Sequence, residues 1–152
     1  MIIRILSDYW TLVRSNLRMP RFAYRLAYDR PQPGTQLMLL AARDPVPTYV
    51  ATVDFLGGGD FVSAKAAVAH GEEVIRATLT PGARQKVNQI AEHNEAAKNV
   101  EDYMMLLLFV DGEPAKQVTL VTAPIPGFEI DMRVNPARIP EMLAEFNASG
   151  AH

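Results

Sequence analysis

The feature that most constrains the fold is an uninterrupted run of eight apolar residues, Tyr103–Val110. The run is too short to cross a bilayer as a helix, because a hydrocarbon core of about 30 Å needs roughly 20 residues. A short segment that is apolar at every position is typical of a β-strand covered on both faces. The run therefore predicts a central strand with other parts of the chain packed on each side of its sheet.

Three shorter strand patterns precede this run, at about residues 21–29, 35–43 and 48–56. Turn residues separate them, including the segment Pro31–Gly34, in which proline restricts φ and glycine accepts a left-handed conformation. Parallel strands need crossover connections of about a dozen residues, which these links do not provide. The three patterns therefore predict an antiparallel meander.

The first of these patterns is strongly two-sided. Phe22, Tyr24, Leu26 and Tyr28 alternate with alanines and arginines that include Arg25. Because successive side chains of a strand point to opposite faces, this pattern predicts aromatic residues on one face of the sheet and arginines on the other.

The first twenty residues carry a helical pattern. Apolar residues recur at intervals of three and four, and Pro20 ends the pattern, which predicts a helix over about 2–18. An edge strand is the alternative, since some of the same residues fit a period of two. The apolar stripe of the predicted helix consists of Ile3, Leu6, Trp10, Val13 and Leu17.

The middle of the chain predicts two further helices. Asp60 is a suitable N-cap for a helix running from Phe61 to about Ile75, although Gly71 either kinks it or makes 72–79 a separate element. Thr80 and the proline that follows it predict the start of a second helix, over about 81–99. The apolar stripe of this second helix is thin, which is typical of a peripheral helix.

The C-terminal part predicts two strands and a short helix. A strand over about 116–123 follows the turn at Asp111 and Gly112. Phe128–Val134 alternates between a dry and a charged face, as expected of a strand that lies at an edge or under solvent. A final helix from about Pro140 directs Met142, Leu143 and Phe146 inward. The elements together predict a single α+β domain over residues 1–152. Its antiparallel sheet consists of two three-stranded meanders, with amphipathic helices packed on one face or at the ends.

Charge and cysteine content exclude several classes of site. The chain has no cysteine, so it contains no disulfide, thiolate metal site or cysteine nucleophile. The histidines His70, His93 and His152 lack the one-turn spacing of a metal-binding pair. No phosphate-binding glycine motif or serine nucleophile motif is present. We therefore expect no cofactor, no metal and no catalytic residue.

The leading functional hypothesis is a non-catalytic protein–protein interaction or assembly module that self-associates. Tryptophan, tyrosine and arginine dominate binding hot spots, and they concentrate in the first thirty residues. The alternative for Trp10, Phe22 and Tyr24 is that they fill the core. The predicted interaction surface comprises Trp10, Arg14, Arg18, Phe22, Tyr24, Arg25, Tyr28 and Arg30.

A nucleic-acid-binding module is the second hypothesis. The whole chain has a formal charge of −2, but residues 1–43 carry +5 and residues 44–152 carry −7. The arginines and aromatic residues of segment 14–30 could contact phosphates and unpaired bases. The predicted order of helix, three strands and helix also resembles that of double-stranded-RNA-binding domains, in which 63–67 would stand at the family's lysine cluster. Attraction between the two oppositely charged parts of the chain is the simpler explanation of the asymmetry.

A small enzyme or ligand carrier is the third hypothesis, with a pocket between sheet and helices that uses Asp54, His70 or Glu73. On a helix, His70 and Glu73 would share one face. The start of the chain has a charge within its apolar part and no small-residue cleavage site, which makes it a poor secretory signal. The sequence therefore predicts a cytoplasmic protein with no membrane partner.

Overall fold

The computed structural model describes residues 22–40 and 47–148. Five of its strands form one antiparallel sheet, sheet A, in the spatial order β2-β3-β1-β6-β7. Strands β1 and β6, which occupy the interior of the sheet, share the longest register. The strands of sheet A are β1 (Phe22–Tyr28), β2 (Thr35–Leu39), β3 (Pro47–Ala51), β6 (Met105–Val110) and β7 (Glu113–Leu120).

Strand β6 confirms the prediction made from the apolar run. It lies between β1 and β7, and all but the last of its residues are buried. Leu106 and Leu108 face one side and join the larger hydrophobic cluster, whereas Leu107 and Phe109 face the other side and join a second cluster. Both faces of the sheet are therefore dry at this strand, as an unbroken apolar run requires.

The order of the first three strands differs from the predicted meander. Strand β3 pairs with both β1 and β2, so it lies between them, and β2 lies at the edge of the sheet. Neighbouring strands are still antiparallel, and β1 and β2 run parallel to one another without pairing. The short link 29–34 joins β1 to β2 across β3, so it connects two parallel strands that are not neighbours. A short link requires antiparallel strands only when the two strands are neighbours, and this is why the meander prediction was wrong.

Three strands form a second antiparallel sheet, sheet B, in the order β4-β5-β8, with β4 at Phe61–Ala69, β5 at Glu72–Leu79 and β8 at Glu129–Met132. The helix predicted from Phe61 to about Ile75 was therefore wrong. The segment is a hairpin whose turn residues, His70 and Gly71, both have positive φ. This geometry is that of the two-residue turns that match strand twist. Burial of alternate residues of β5 outweighs the helix propensity of the alanines in β4.

Two helices, α1 (Pro81–Ala96) and α2 (Ile139–Ala148), lie within the described residues and confirm the helices predicted over about 81–99 and from about Pro140. Helix α1 begins as predicted, because the Thr80 hydroxyl accepts a hydrogen bond from the Ala83 N–H at 3.1 Å. Its buried side chains include Val87 and Ile90 of the predicted thin stripe. In α2, Met142 and Phe146 point into the core as predicted, and Phe146 packs against the ring of Phe22.

The larger core joins all of these layers. The inner face of sheet A, one face of sheet B and both helices contribute to a single hydrophobic cluster. Tyr24 of β1 and Phe61 of β4 mark where the two sheets meet, with ring centroids 6.4 Å apart. The fold is therefore α+β, with antiparallel sheets packed against helices, as predicted. The arrangement is a five-stranded and a three-stranded sheet rather than two meanders.

Strand β8 lies at an edge of sheet B, as its alternation predicted, with Ile130 and Met132 buried. The predicted helix over 2–18 falls outside the described residues. The order that resembled double-stranded-RNA-binding domains is not present, because the expected second helix is β4. Among the described residues, no helix has the length and apolarity needed to cross a membrane.

Candidate functional site: the free edge of strand β2

Strand β2 is the most exposed apolar strand that the structure describes. It forms one edge of sheet A, and its five residues, Thr35–Leu39, include neither a charged residue nor a proline. Leu37 is 56% exposed and Leu39 is 68% exposed. An uncharged strand at a sheet edge can template pairing with another chain. We call the side of this strand that faces away from β3 the β2 edge.

The exposed leucines continue a row of apolar side chains across the sheet. Leu37 is the register partner of Tyr49 in β3, and Tyr49 is the partner of Tyr28 in β1. Directly opposed residues of antiparallel strands point to the same face, so these three side chains form one row. We call them the Leu/Tyr row. Tyr28 and Tyr49 are half-buried, so the row runs outward from the core and ends in solvent at Leu37.

The ladder between β2 and β3 determines which backbone groups face outward. The Thr52 N–H donates to the Gly34 carbonyl at 3.0 Å, which makes these two residues a hydrogen-bonded pair. Such pairs alternate along an antiparallel ladder, so Gln36 and Met38 direct their N–H and C=O groups toward β3. The corresponding groups of Leu37 and Leu39 therefore point outward at the β2 edge.

Thr35 at the start of the strand has the same outward orientation, but its N–H already has a partner. It donates to the Gln32 carbonyl at 3.2 Å, and the Thr35 hydroxyl donates to the same carbonyl at 2.7 Å. This turn anchors the beginning of β2. Among the residues that the structure describes, the N–H donors of the β2 edge without a partner are therefore those of Leu37 and Leu39.

The other described sheet edges differ from β2 in composition. Strand β7 contains Glu113 and Pro114, and β4 has Lys65 at its centre. Strand β8 carries Glu129 and Asp131. Charges and prolines on edge strands are the usual protection against unwanted pairing. Of the edges in residues 22–40 and 47–148, only β2 lacks this protection.

Five of the eight residues of the predicted interaction surface lie in the described part of the chain; Trp10, Arg14 and Arg18 lie outside it. Phe22 and Tyr24 are almost completely buried and take the core role that the sequence left open. Burial, together with the negative charge of Asp131, raises the pKa of the Tyr24 hydroxyl far above its usual range. These two aromatic rings hold the layers together and do not lie on the surface.

The structure does not gather the remaining three predicted residues at one place. Arg25 lies on the face of sheet A that also carries Leu107 and Phe109. Its Nε donates to Asp54 Oδ1 at 3.0 Å, and its guanidinium stacks on the ring of Phe109. Arg30 forms ion pairs with Glu101 and Asp102, and its hydrogen bond to Glu101 raises the pKa of its guanidinium. Both arginines are therefore engaged by carboxylates of the same chain.

Tyr28 is the one residue of that predicted surface that belongs to the Leu/Tyr row. Partial burial raises the pKa of its hydroxyl, in agreement with a ring that lies partly against the sheet. Its place on an interaction surface stays a prediction.

The residues of the predicted pocket lie on different elements. Asp54 is in the loop after β3 and is paired with Arg25. His70 and Glu73 are exposed at the tip of the β4–β5 hairpin, and His70 occupies the turn itself. In the ranges 22–40 and 47–148, no group of three or more His, Cys, Asp or Glu side chains is placed to hold a metal ion.

Sequence reasoning missed Leu37 and Leu39, although it predicted their strand. A meander would have placed β2 in the middle, with partners on both sides and its leucines covered. The absence of any charge in Thr35–Leu39 was the available signal. The signal becomes informative only when the strand order places β2 at the edge.

No protein-family model matches the chain, and no curated protein matches it. Among solved structures, the chain is similar to that of SecDF, a membrane component that enhances protein export, with a TM-score of 0.53 and 13% identity. The match covers 94% of this chain and 67% of the other. At this identity the similarity concerns the fold alone.

Proposed function

We propose that this protein is a protein–protein interaction module that binds a β-strand of its partner at the β2 edge. The observation that carries the proposal is an edge strand with two exposed leucines and no charge. Strand addition supplies main-chain hydrogen bonds for affinity and uses alternate side chains for specificity. The outward groups of Leu37 and Leu39 provide the hydrogen bonds, and the Leu/Tyr row receives the alternate side chains.

This proposal keeps the leading hypothesis of the sequence and moves the binding site. The segment 14–30 was expected to supply the contacts, whereas the β2 edge now does so, with Tyr28 as the shared residue. The ion pairs of Arg25 and Arg30 weaken the nucleic-acid alternative, because those guanidinium groups are already held by carboxylates. A cysteine-free chain is compatible with a cytoplasmic location, which we retain as part of the proposal.

Binding of an extended peptide tests the proposal. The probe is a fluorescein-labelled peptide of alternating valine and threonine with two lysines at each end, titrated against the full chain by fluorescence anisotropy. The variant Leu37→Pro removes one outward N–H donor and leaves the bonds from Gln36 and Met38 to β3 in place. We expect this variant to bind at least about tenfold more weakly than the wild type, since a donor and a contact are both lost.

The matched control is Leu120→Lys. Leu120 is 47% exposed on β7, at the opposite edge of the same sheet. We expect peptide binding to this variant to equal that of the wild type, and Leu37→Lys to weaken it. The proposal would be contradicted if Leu37→Pro and Leu37→Lys bound the peptide as tightly as the wild type. It would also be contradicted if the wild type bound no peptide at a protein concentration of about 1 mM.

A further inference from the structure

We infer that the strand added at the β2 edge is supplied by a second copy of this chain, in an antiparallel dimer whose two-fold axis passes beside Met38. The inference rests on the proposed function and adds the identity of the partner and its register. A closed two-fold contact uses the same patch on both copies, so the patch must be complementary to itself.

The backbone groups fit this register. With the axis beside Met38, Leu37 of each copy lies opposite Leu39 of the other. These are hydrogen-bonded pairs, because the groups of both residues point outward. The outward N–H and C=O groups of Leu37 and Leu39 on each copy are then all used, which gives four hydrogen bonds across the axis. A register centred on Leu37 would instead place Leu39 opposite Thr35, whose N–H is already bonded to Gln32.

The side chains fit the same register. Leu37 and Leu39 of the two copies meet on one face, where they join the two Leu/Tyr rows into a continuous apolar surface. Met38 meets its equivalent on the opposite face, next to the cluster that contains Val50 and Leu107. Residues opposite one another across strands stabilise a sheet when both are apolar, and the exposed leucines become covered.

Charge favours this strand over the others as a self-pairing element. A strand that pairs with its own copy places each of its charges near the identical charge of the other copy, and like charges in such positions are destabilising. Strand β2 has no charged residue, so its self-pairing brings no like charges together. Self-pairing of β4 would bring Lys65 near the Lys65 of the other copy, and self-pairing of β8 would bring Glu129 and Asp131 near their equivalents. Pro114 interrupts the donors of β7.

The interface is small, because in this register only residues 37–39 of each β2 lie opposite β2 residues of the other copy. We therefore expect a reversible dimer that forms in the micromolar to millimolar range and not an obligate one. Sedimentation velocity of the full chain between about 10 µM and about 1 mM should show a concentration-dependent shift from monomer to dimer. Leu37→Lys should shift this equilibrium at least about tenfold toward monomer, and Leu120→Lys should leave it unchanged.

Single-cysteine variants test the register, and the wild-type chain has no cysteine to interfere. In the proposed dimer, residue 38 of each copy lies in a non-hydrogen-bonded pair with its equivalent, with Cα atoms about 4.5 Å apart. That distance suits a disulfide. Under mild oxidation, Met38→Cys should form a covalent dimer at least about tenfold faster than Leu120→Cys. Leu37→Cys should be slower than Met38→Cys, because its equivalent is displaced along the strand.

Each outcome separates this inference from the proposed function. A chain that stays monomeric at about 1 mM but binds the valine–threonine peptide at β2 overturns the second-copy inference and leaves the proposed function standing. A chain that does neither overturns both. Faster cross-linking at Leu37→Cys than at Met38→Cys overturns the Met38 axis, and dimerisation unaffected by Leu37→Lys overturns the β2 interface.

Discussion

The two sheets differ in how they meet solvent. Sheet B has one dry face and one charged face, on which Arg76 of β5 forms a bidentate ion pair with Asp131 of β8. Lys65 of β4 lies 4.0 Å from Glu129 on the same face. Sheet A has buried apolar residues on both faces, and its uncharged strand β2 lies at one edge. Both edge strands of sheet B thus carry charges, whereas the edge strand β2 of sheet A carries none.

In sheet A, the residues that stabilise the fold differ from the residues that we propose for binding. The apolar residues of sheet A that are covered stabilise the fold, while Leu37 and Leu39 expose apolar area that contributes little to folding. Polar residues at these two positions would cost the folded monomer almost nothing. An uncharged β2 edge is therefore explained better by binding than by stability.

The largest effect is expected at the covered positions of sheet A. Leu107 has no exposed surface, so Leu107→Ala leaves a cavity and should lower the free energy of unfolding by about 3 kcal/mol. Leu37→Ala removes the same atoms from an exposed position and should change it by no more than about 0.5 kcal/mol. Urea denaturation of both variants measures the difference. Equal losses would show that Leu37 also stabilises the monomer.

The contact between the two sheets should be sensitive to alkaline pH. The pKa of Tyr24 is raised in the folded state by burial from the ordinary value of 10.0. Because the buried hydroxyl holds its proton more tightly than it does in the unfolded chain, its full contribution to the free energy of unfolding is present below pH 10. That contribution is lost as the pH rises toward the folded pKa, and the free energy of unfolding falls by up to about 1.4 kcal/mol per pH unit. In urea denaturation, the free energy of unfolding of Tyr24→Phe should fall less steeply than that of the wild type between about pH 10 and about pH 11.

The control for this pH effect is Tyr28→Phe. Tyr28 is only half-buried, and its pKa is raised by a smaller desolvation, so its replacement should flatten the decline less. If the free energy of unfolding of Tyr24→Phe falls with pH as steeply as that of the wild type, other groups determine the loss of stability at alkaline pH.

The smallest effect is expected on the charged face of sheet B. The side chains of Arg76 and Asp131 are about one-third exposed, at 31% and 35%, and solvent screens ion pairs of this kind. Arg76→Met should lower Tm by no more than about 2 °C, and added salt should reduce the difference from wild type. Lys65→Met, at a longer and more exposed pair, should have no measurable effect. A large loss in either variant would show that this face stabilises sheet B directly.

The sequence correctly predicted the elements whose structure follows from the pattern of their own residues. The apolar run of β6, the alternation of β8 and the Thr80 cap of α1 each specify a local structure that the fold retains. The β4–β5 hairpin was missed because its alanines favour a helix and its turn depends on positive φ at His70 as well as at Gly71. Tertiary packing outweighs local propensity there.

The candidate site could not be predicted for a different reason. The sequence gives the limits of β2 to within a few residues, but the order of the strands depends on long-range pairing of β3 with both β1 and β2. Exposure of Leu37 follows from that order and not from its neighbours in the chain. Arg25 and Arg30 likewise resembled binding residues in sequence, and only the fold brings Asp54 and Glu101 to them.

Amide hydrogen exchange at β2 tests the central claim most directly. At a concentration where the protein is monomeric, the amides of Gln36 and Met38 should be protected, whereas those of Leu37 and Leu39 should exchange freely. Saturation with the valine–threonine peptide should protect Leu37 and Leu39 as well. Leu37 and Leu39 amides that are already protected in the monomer, or that stay unprotected with the peptide bound, would contradict the account.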